Sequence, residues 1–122
     1  MSNQAKTAAI ETFLASYKVK DVATRIALFA DDISFEDPVS TPPLVGKAAM
    51  NEYFVATVAS GWDIELVPQK IMVNGDEAVS ITQATAGVAG NPPVTSTIVQ
   101  IFVFNEAGKF KALRVFMDTP PA

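Results

Sequence analysis

The sequence predicts an α+β fold in which three helices pack on one face of an antiparallel sheet. In the first half of the chain the apolar residues recur at helical spacing. From Trp62 onward four long runs rich in Val, Ile, Thr and Phe are broken by short turn sequences. A length of 122 residues, 49% hydrophobic and 18% charged, suits one globular domain, expected over residues 1–122, and is too short for two.

Each element has its own signal. Ser2 or Asn3 can cap a first helix in which Ile10, Phe13, Leu14 and Tyr17 fall at i, i+3, i+4 and i+7, an apolar stripe. Asp21 can cap a short second helix running through Leu28, with Val22 and Ile26 on one side. Residues 33–35 alternate weakly and read as a short strand. Pro38, Pro42 and Pro43 make the next stretch a loop, because proline cannot donate to a ladder and disfavours helix in the residue before it; Gly46 ends that loop. From Lys47 to about Ser60, Met50, Tyr53, Phe54 and Thr57 or Val58 recur at helical spacing, and Gly61 closes the segment. Four strands are expected over 62–73, 77–88, 94–105 and 109–117, joined at 74–76, 90–93 and 106–108 as hairpins. The run TIVQIFVF, 97–104, is apolar on both faces. One face of an antiparallel sheet ordinarily meets water, so the outer positions Val99, Ile101 and Val103 predict a homodimer through the outer sheet face.

Composition narrows the function. Nine basic residues against thirteen acidic ones, net charge -4, provide no basic stripe for phosphates, so no nucleic-acid partner is expected. The sequence has no run of about 18 apolar residues and no charged-then-apolar amino terminus, so no membrane partner, transmembrane helix or signal peptide is expected. With no cysteine there is no disulfide framework, compatible with a reducing cytoplasm, the expected location. Histidine is absent as well, which removes the commonest metal ligand and general base together. Catalysis must then rest on carboxylates, Tyr, Lys, Arg or amides, and neither metal nor cofactor is expected.

The stretch ALFADDISFEDPVSTPPLVG, 27–46, packs four acidic residues and three prolines between two apolar runs. Its acids can be solvated, Asp31 and Asp32 capping or following a helix and Glu36 and Asp37 lying in the loop. The alternative makes Asp37, held by Pro38 at the end of a strand, a proton shuttle at the mouth of the space between helices and sheet. Glu36 and Asp37, as strand neighbours, point to opposite faces and do not form a glycosidase pair. Gln100 is a second anomaly: it shares a face with Ile98, Phe102 and Phe104, so its amide is either paired in the core or lines a cavity.

The segments LFADDISFEDPV, PPLVGKAAMNEYF and FVFNEAGKF resemble the ketosteroid isomerase, or SnoaL-like (polyketide-cyclase-like), branch of the nuclear transport factor 2-like superfamily, over nearly the whole chain. The resemblance implies a cone-shaped fold, three N-terminal helices over a strongly curved sheet, with an apolar pocket between them and dimerisation through the outer sheet face. It makes Asp37 the base that moves a proton between carbons. The family's oxyanion hole, a tyrosine and a protonated aspartic acid, falls here on Phe13 and Gln100, and a supporting tyrosine falls on Phe54 beside Tyr53. Phenylalanine has no hydrogen to donate, and Tyr17, four residues on and about 6 Å further along the helix, is expected to be a poor substitute. One lost oxyanion donor costs about 2.7–4 kcal/mol, so slow steroid isomerisation or none is expected.

Three classes of function follow: an enzyme acting on an apolar carbonyl-containing small molecule, with Asp37 as general base and Gln100 orienting a carbonyl or hydroxyl, for isomerisation, cyclisation or dehydration; a noncatalytic binding domain for an apolar small molecule; and a protein-interaction module in which the sheet face recruits a partner. The expected lining is Phe13, Tyr17, Phe54, Phe102, Phe116 and Met117. The Asp, Arg and Asp grouping of the epoxide-hydrolase relatives is not apparent, since Ile101 and Phe102 follow Gln100. One conflict remains in the pattern: a tight hairpin pairing Phe104 with Phe110 sets Gln100 opposite Arg114 and turns Met117 away. One bulged residue in the last strand restores Met117 to the pocket; without it Arg114 becomes a partner for Asp37.

Overall fold

A computed structural model describes residues 1–118. The elements follow as α1 (Asn3–Ala15), α2 (Val22–Ala27), β1 (Phe29–Glu36), β2 (Leu44–Val45), α3 (Lys47–Ala59), β3 (Trp62–Asn74), β4 (Glu77–Val88), β5 (Val94–Phe104) and β6 (Phe110–Met117). The caps are local chemistry. Ser2 Oγ accepts from the Ala5 N–H at 3.0 Å, and Asp21 Oδ1 accepts from the Thr24 N–H at 3.1 Å, each satisfying a helix-start donor. Gly46 enters α3 at φ 95°, a backbone angle that a side chain disfavours.

The strands form one sheet in the order β2-β1-β6-β5-β4-β3, antiparallel except where β1 runs parallel to β6. α1 packs on β3, and α3 on β1 and β2. Three details differ from the sequence expectation. The first strand extends over eight residues, because it pairs with both β2 and β6, and it carries Asp31 and Asp32 as exposed strand residues rather than as helix caps. The expected loop before Gly46 contains β2, which pairs Leu44 with Phe35 and Val45 with Ser34. The third helix follows these two strands, so the helices do not all precede the sheet.

Irregular pairing shapes the sheet. Pro68 is tolerated because β3 is an edge strand, and the register slips just after it, between Pro68 and Lys70. A second slip lies between β5 and β6: Phe104 pairs with Phe110 but Val103 pairs with Ala112, leaving Lys111 unpaired. Gln100 therefore faces Val115, and Arg114 faces Ile101 on the outer surface.

Seven of the eight phenylalanines are fully buried and the eighth, Phe116, is 41% exposed. Phe110 sits among Phe13, Phe29, Phe102 and Phe104, with ring centroids 5.7, 5.9, 5.0 and 5.2 Å away. Edge-to-face and tilted rings at such distances add to the area they bury. Phe110→Ala is therefore expected to destabilise the protein by about 3–5 kcal/mol in urea unfolding, and a loss below about 1 kcal/mol would show that this cluster does not hold the helices on the sheet.

Candidate functional site

The inner face of β4 carries Ala78, Ser80, Thr82, Ala84 and Ala86, by the period-two alternation of a strand. Small side chains there leave space that large ones would fill. The space is a cavity of about 240 Å³ between sheet and helices, whose lining includes Phe13, Tyr17, Phe35, Ile98, Leu113, Val115 and Met117. Four residues with polar groups interrupt this apolar lining: Tyr17, Asp37, Ser96 and Gln100. A larger, more open depression of about 540 Å³ lies by Lys18, Asp63, Glu65 and Asn91. Its charges are paired at the surface, Lys18 with Glu65 at 2.8 Å, and it contains no desolvated acid or base, so the smaller cavity is the candidate site.

Asp37 follows the last residue of β1, where the chain leaves the sheet. The Val39 N–H donates to the Val115 carbonyl at 2.8 Å and the Thr41 N–H to the Pro38 carbonyl at 3.1 Å, which ties down the loop that carries Asp37. Glu36 turns the other way and accepts from Arg114 Nε at 2.9 Å on the outer face. Burial holds the Asp37 carboxyl above its ordinary value, and the neighbouring Tyr53 hydroxyl acts in the opposite sense. Desolvation is the larger effect. Tyr53 is itself shifted upward, first by burial and then by the charge of Asp37.

Gln100 is 2% exposed. Thr82 Oγ1 donates to its Oε1 at 2.8 Å, and Ser80 Oγ lies 2.7 Å from Thr82 Oγ1. Because the Thr82 proton is committed to Gln100, the proton between the two hydroxyls comes from Ser80. This relay fixes the amide oxygen. The Nε2 group makes no hydrogen bond among the described residues, and no fully buried side-chain nitrogen or oxygen there is unpaired, so Nε2 opens to the cavity as a donor.

Among the expected lining residues, Phe13, Tyr17 and Met117 face the cavity, Met117 because Lys111 is bulged out of register. Phe54 and Phe102 are 1% and 0% exposed and belong to the packed core beside it. Phe116 is on the outer face opposite Val99, its ring 5.6 Å from the Arg114 guanidinium, so it is not a lining residue; one residue along a strand exchanges faces. Arg114 is likewise held outside, by Glu36.

Sequence reasoning missed Tyr53 as the partner of Asp37, the Ser80 and Thr82 relay, and Arg25. Ser80 and Thr82 had a signal, since alternation places them on one face and Ser80 pairs directly with Gln100. Arg25 had a weaker one, three residues from Val22 on the buried side of α2. It is 2% exposed, donates to Ser16 Oγ at 3.0 Å and to the Ser16 carbonyl at 3.2 Å, and stacks on Tyr17 and Phe54. Among the described residues no three His, Cys, Asp or Glu side chains converge as metal ligands would.

The profile of the SnoaL-like domain matches residues 10–113. The chain belongs to the SnoaL-like domain family, within the nuclear transport factor 2-like superfamily. This SnoaL-like domain is 28% identical over 116 residues to a steroid Δ-isomerase of Nocardioides simplex, covering 95% of this chain and 91% of the isomerase. Among solved structures it is similar to SalBIII, described as an epoxide hydrolase/cyclase-like enzyme in pyran ring formation in polyether salinomycin: TM-score 0.81, 23% identity, 96% of this chain and 93% of that one. It also superposes on a computationally designed 17-OHP binder, with TM-score 0.83 and 20% identity over 93% and 92% of the two chains. An LEH-like epoxide hydrolase of M. tuberculosis gives TM-score 0.83 and 17% identity over 94% and 84%. These structures share the fold.

Because the folded SnoaL-like domain holds the Asp37 proton more tightly than the unfolded chain, ionised Asp37 lowers stability at neutral pH. That cost vanishes as pH falls below the ordinary carboxylate pKa of about 3.9. Asp37→Asn is therefore expected to raise Tm at about pH 7, and the two proteins should converge near pH 3 in calorimetry. A difference that does not change with pH would place the carboxylate in water.

Proposed function

We propose that this protein binds a compact apolar carbonyl compound and that Asp37 moves a proton on it, in the manner of an isomerase. The observation that carries this is the desolvated Asp37 carboxyl and the fixed Gln100 amide in one apolar cavity. For a β,γ-unsaturated ketone, the Asp37 carboxylate takes a proton from the carbon between carbonyl and alkene. The C–H electron pair forms a carbon–carbon double bond and the carbonyl pair moves onto oxygen, giving a dienolate. Gln100 Nε2–H donates to that oxygen. The neutral Asp37 acid then returns the proton to the γ-carbon, the electrons fall back to restore the carbonyl, and the product is the conjugated enone with no change in composition. A carboxylate whose pKa is raised by burial is a stronger base once ionised. The relationship to a steroid Δ-isomerase over most of both chains supports this chemistry.

The cavity volume of about 240 Å³ is below the range of about 300–1,000 Å³ usual for drug-sized ligands, which favours one or two rings over a four-ring skeleton. Loss of the phenol at Phe13 favours a second reading, a binder without turnover, in which the same groups only orient the ligand.

Assays follow conjugated-enone absorbance with a 3-cyclohexenone and with a 3-oxo-Δ5-steroid. Asp37→Asn should lower kcat by about 10²–10⁴ while the conjugated product still binds. Unchanged turnover in the variant would remove Asp37 from the chemistry, and binding without turnover in either protein would select the second reading.

A homodimer is part of the proposal. Val99, Ile101 and Val103 stay partly exposed on the outer face beside Phe116, a patch of the kind that a second copy covers. Sedimentation at micromolar concentration should give twice the 13.0 kDa chain mass. A monomer would leave that face open.

A further inference from the structure

The least explained group in the molecule is the Arg25 guanidinium. It is 2% exposed, and no carboxylate pairs with it among the described residues. Removing a cation from water costs several kcal/mol, and an apolar side chain of similar volume would fill the same space without that cost. Its surroundings are aromatic: the guanidinium carbon lies 3.7 Å from the centroid of the Tyr17 ring and 4.4 Å from that of Phe54. A cation against a ring face withdraws electron density from the ring, and a phenol so placed has a more acidic, more strongly donating O–H.

Tyr17 is the residue that this would serve. It follows α1 in a turn, four residues after Phe13. Its ring stands edge-on to Phe13 with centroids 5.4 Å apart, and it lines the same cavity as Asp37 and Gln100. The hydroxyl makes no hydrogen bond among the described residues, and since no fully buried oxygen there is unpaired, it opens to accessible space. Burial keeps the phenol protonated, as a donor must be, while Arg25 pulls its acidity the other way.

We propose that Tyr17 is the second hydrogen-bond donor to the substrate oxygen, in place of the hydroxyl absent at Phe13, and that buried Arg25 is the positioning residue that orients and polarises it; this rests on the carbonyl-binding reading above. Tyr17 and Gln100 then form a donor pair across the cavity, and the positive charge behind Tyr17 opposes the negative charge that develops on oxygen.

The test separates the two claims by measuring a ligand signal that needs no proton transfer. The probes are 2-cyclohexenone and a 3-oxo-Δ4-steroid, bound to protein carrying Asp37→Asn, and the signal is the infrared carbonyl stretch. With Tyr17 present the stretch should fall well below its position in an apolar solvent, and Tyr17→Phe, which removes one oxygen, should return it part of the way. Arg25→Met should weaken the shift and Arg25→Lys should restore some of it. In otherwise unmodified protein, Tyr17→Phe should lower kcat by about 10²–10³ with KM little changed, where a residue that only fills space would cost less than about threefold. A carbonyl band that does not move in Tyr17→Phe overturns the proposal even if turnover depends on Asp37. A band that moves while turnover ignores Asp37 supports it and overturns proton transfer. No bound carbonyl band with either probe overturns both.

Discussion

The cavity's composition depends on one unpaired residue in the last strand. With Lys111 bulged out between the Phe104–Phe110 and Val103–Ala112 pairs, every later side chain of β6 changes face relative to a regular hairpin. Leu113, Val115 and Met117 then line the cavity, while Arg114 and Phe116 go to the outer surface. Without the bulge a guanidinium would stand opposite Gln100. It would then share the cavity side with Asp37, and a carboxylate paired with a guanidinium has its pKa lowered rather than raised. That single irregularity keeps the Arg114 guanidinium beside Glu36 on the outer face and away from the cavity that Asp37 lines.

Around that constraint the sheet divides its work. β4 contributes small side chains, which make the volume, and two hydroxyls, which fix an amide. The aromatic cluster of Phe13, Phe29, Phe102 and Phe110 contributes the rigidity. A buried Gln left to rotate would present donor and acceptor alternately; with Oε1 held by Thr82 it presents a donor only. The same economy is seen at Asp37, where burial raises basicity and the Tyr53 hydroxyl limits the rise. Arg25 differs from these groups in carrying a full charge whose hydrogen bonds, among the described residues, go only to Ser16, so its effect falls on the rings that cover it.

The relatives show how little of this belongs to the fold itself. A designed binder and two epoxide hydrolase or cyclase-like enzymes superpose on the chain at TM-scores of 0.81 to 0.83 with 17% to 23% identity. Descriptions that far apart on one backbone mean that the shared fold does not by itself assign a function, which has to be argued from the side chains facing the cavity. In this chain those are one carboxyl, one amide, one phenol and the Ser96 hydroxyl in an otherwise apolar wall, without the tyrosine at Phe13 or the acid at Gln100 that the isomerase resemblance leads one to expect.

The sequence by itself determined the helices, the long strands and the family. Apolar spacing in α1 and α3, the capping residues Ser2 and Asp21, and the turn sequences at 74–76 and 106–108 are local signals that the tertiary structure had no reason to override. It also pointed to Asp37 and Gln100 as anomalies, since a carboxyl before proline at a strand end and an amide on an apolar face stand out within a few residues. Only the tertiary structure decided the rest. The full length of β1 and the existence of β2 came from pairing with distant strands, against the weak alternation at 33–35. The faces of Met117, Phe116 and Arg114 came from a one-residue slip, which no periodicity reveals because both registers satisfy the same pattern. The meeting of Arg25, Tyr17 and Phe54, and of Tyr53 with Asp37, joins residues from separate elements. Such contacts are set by how layers pack, and spacing along a chain carries information only about residues that share one element.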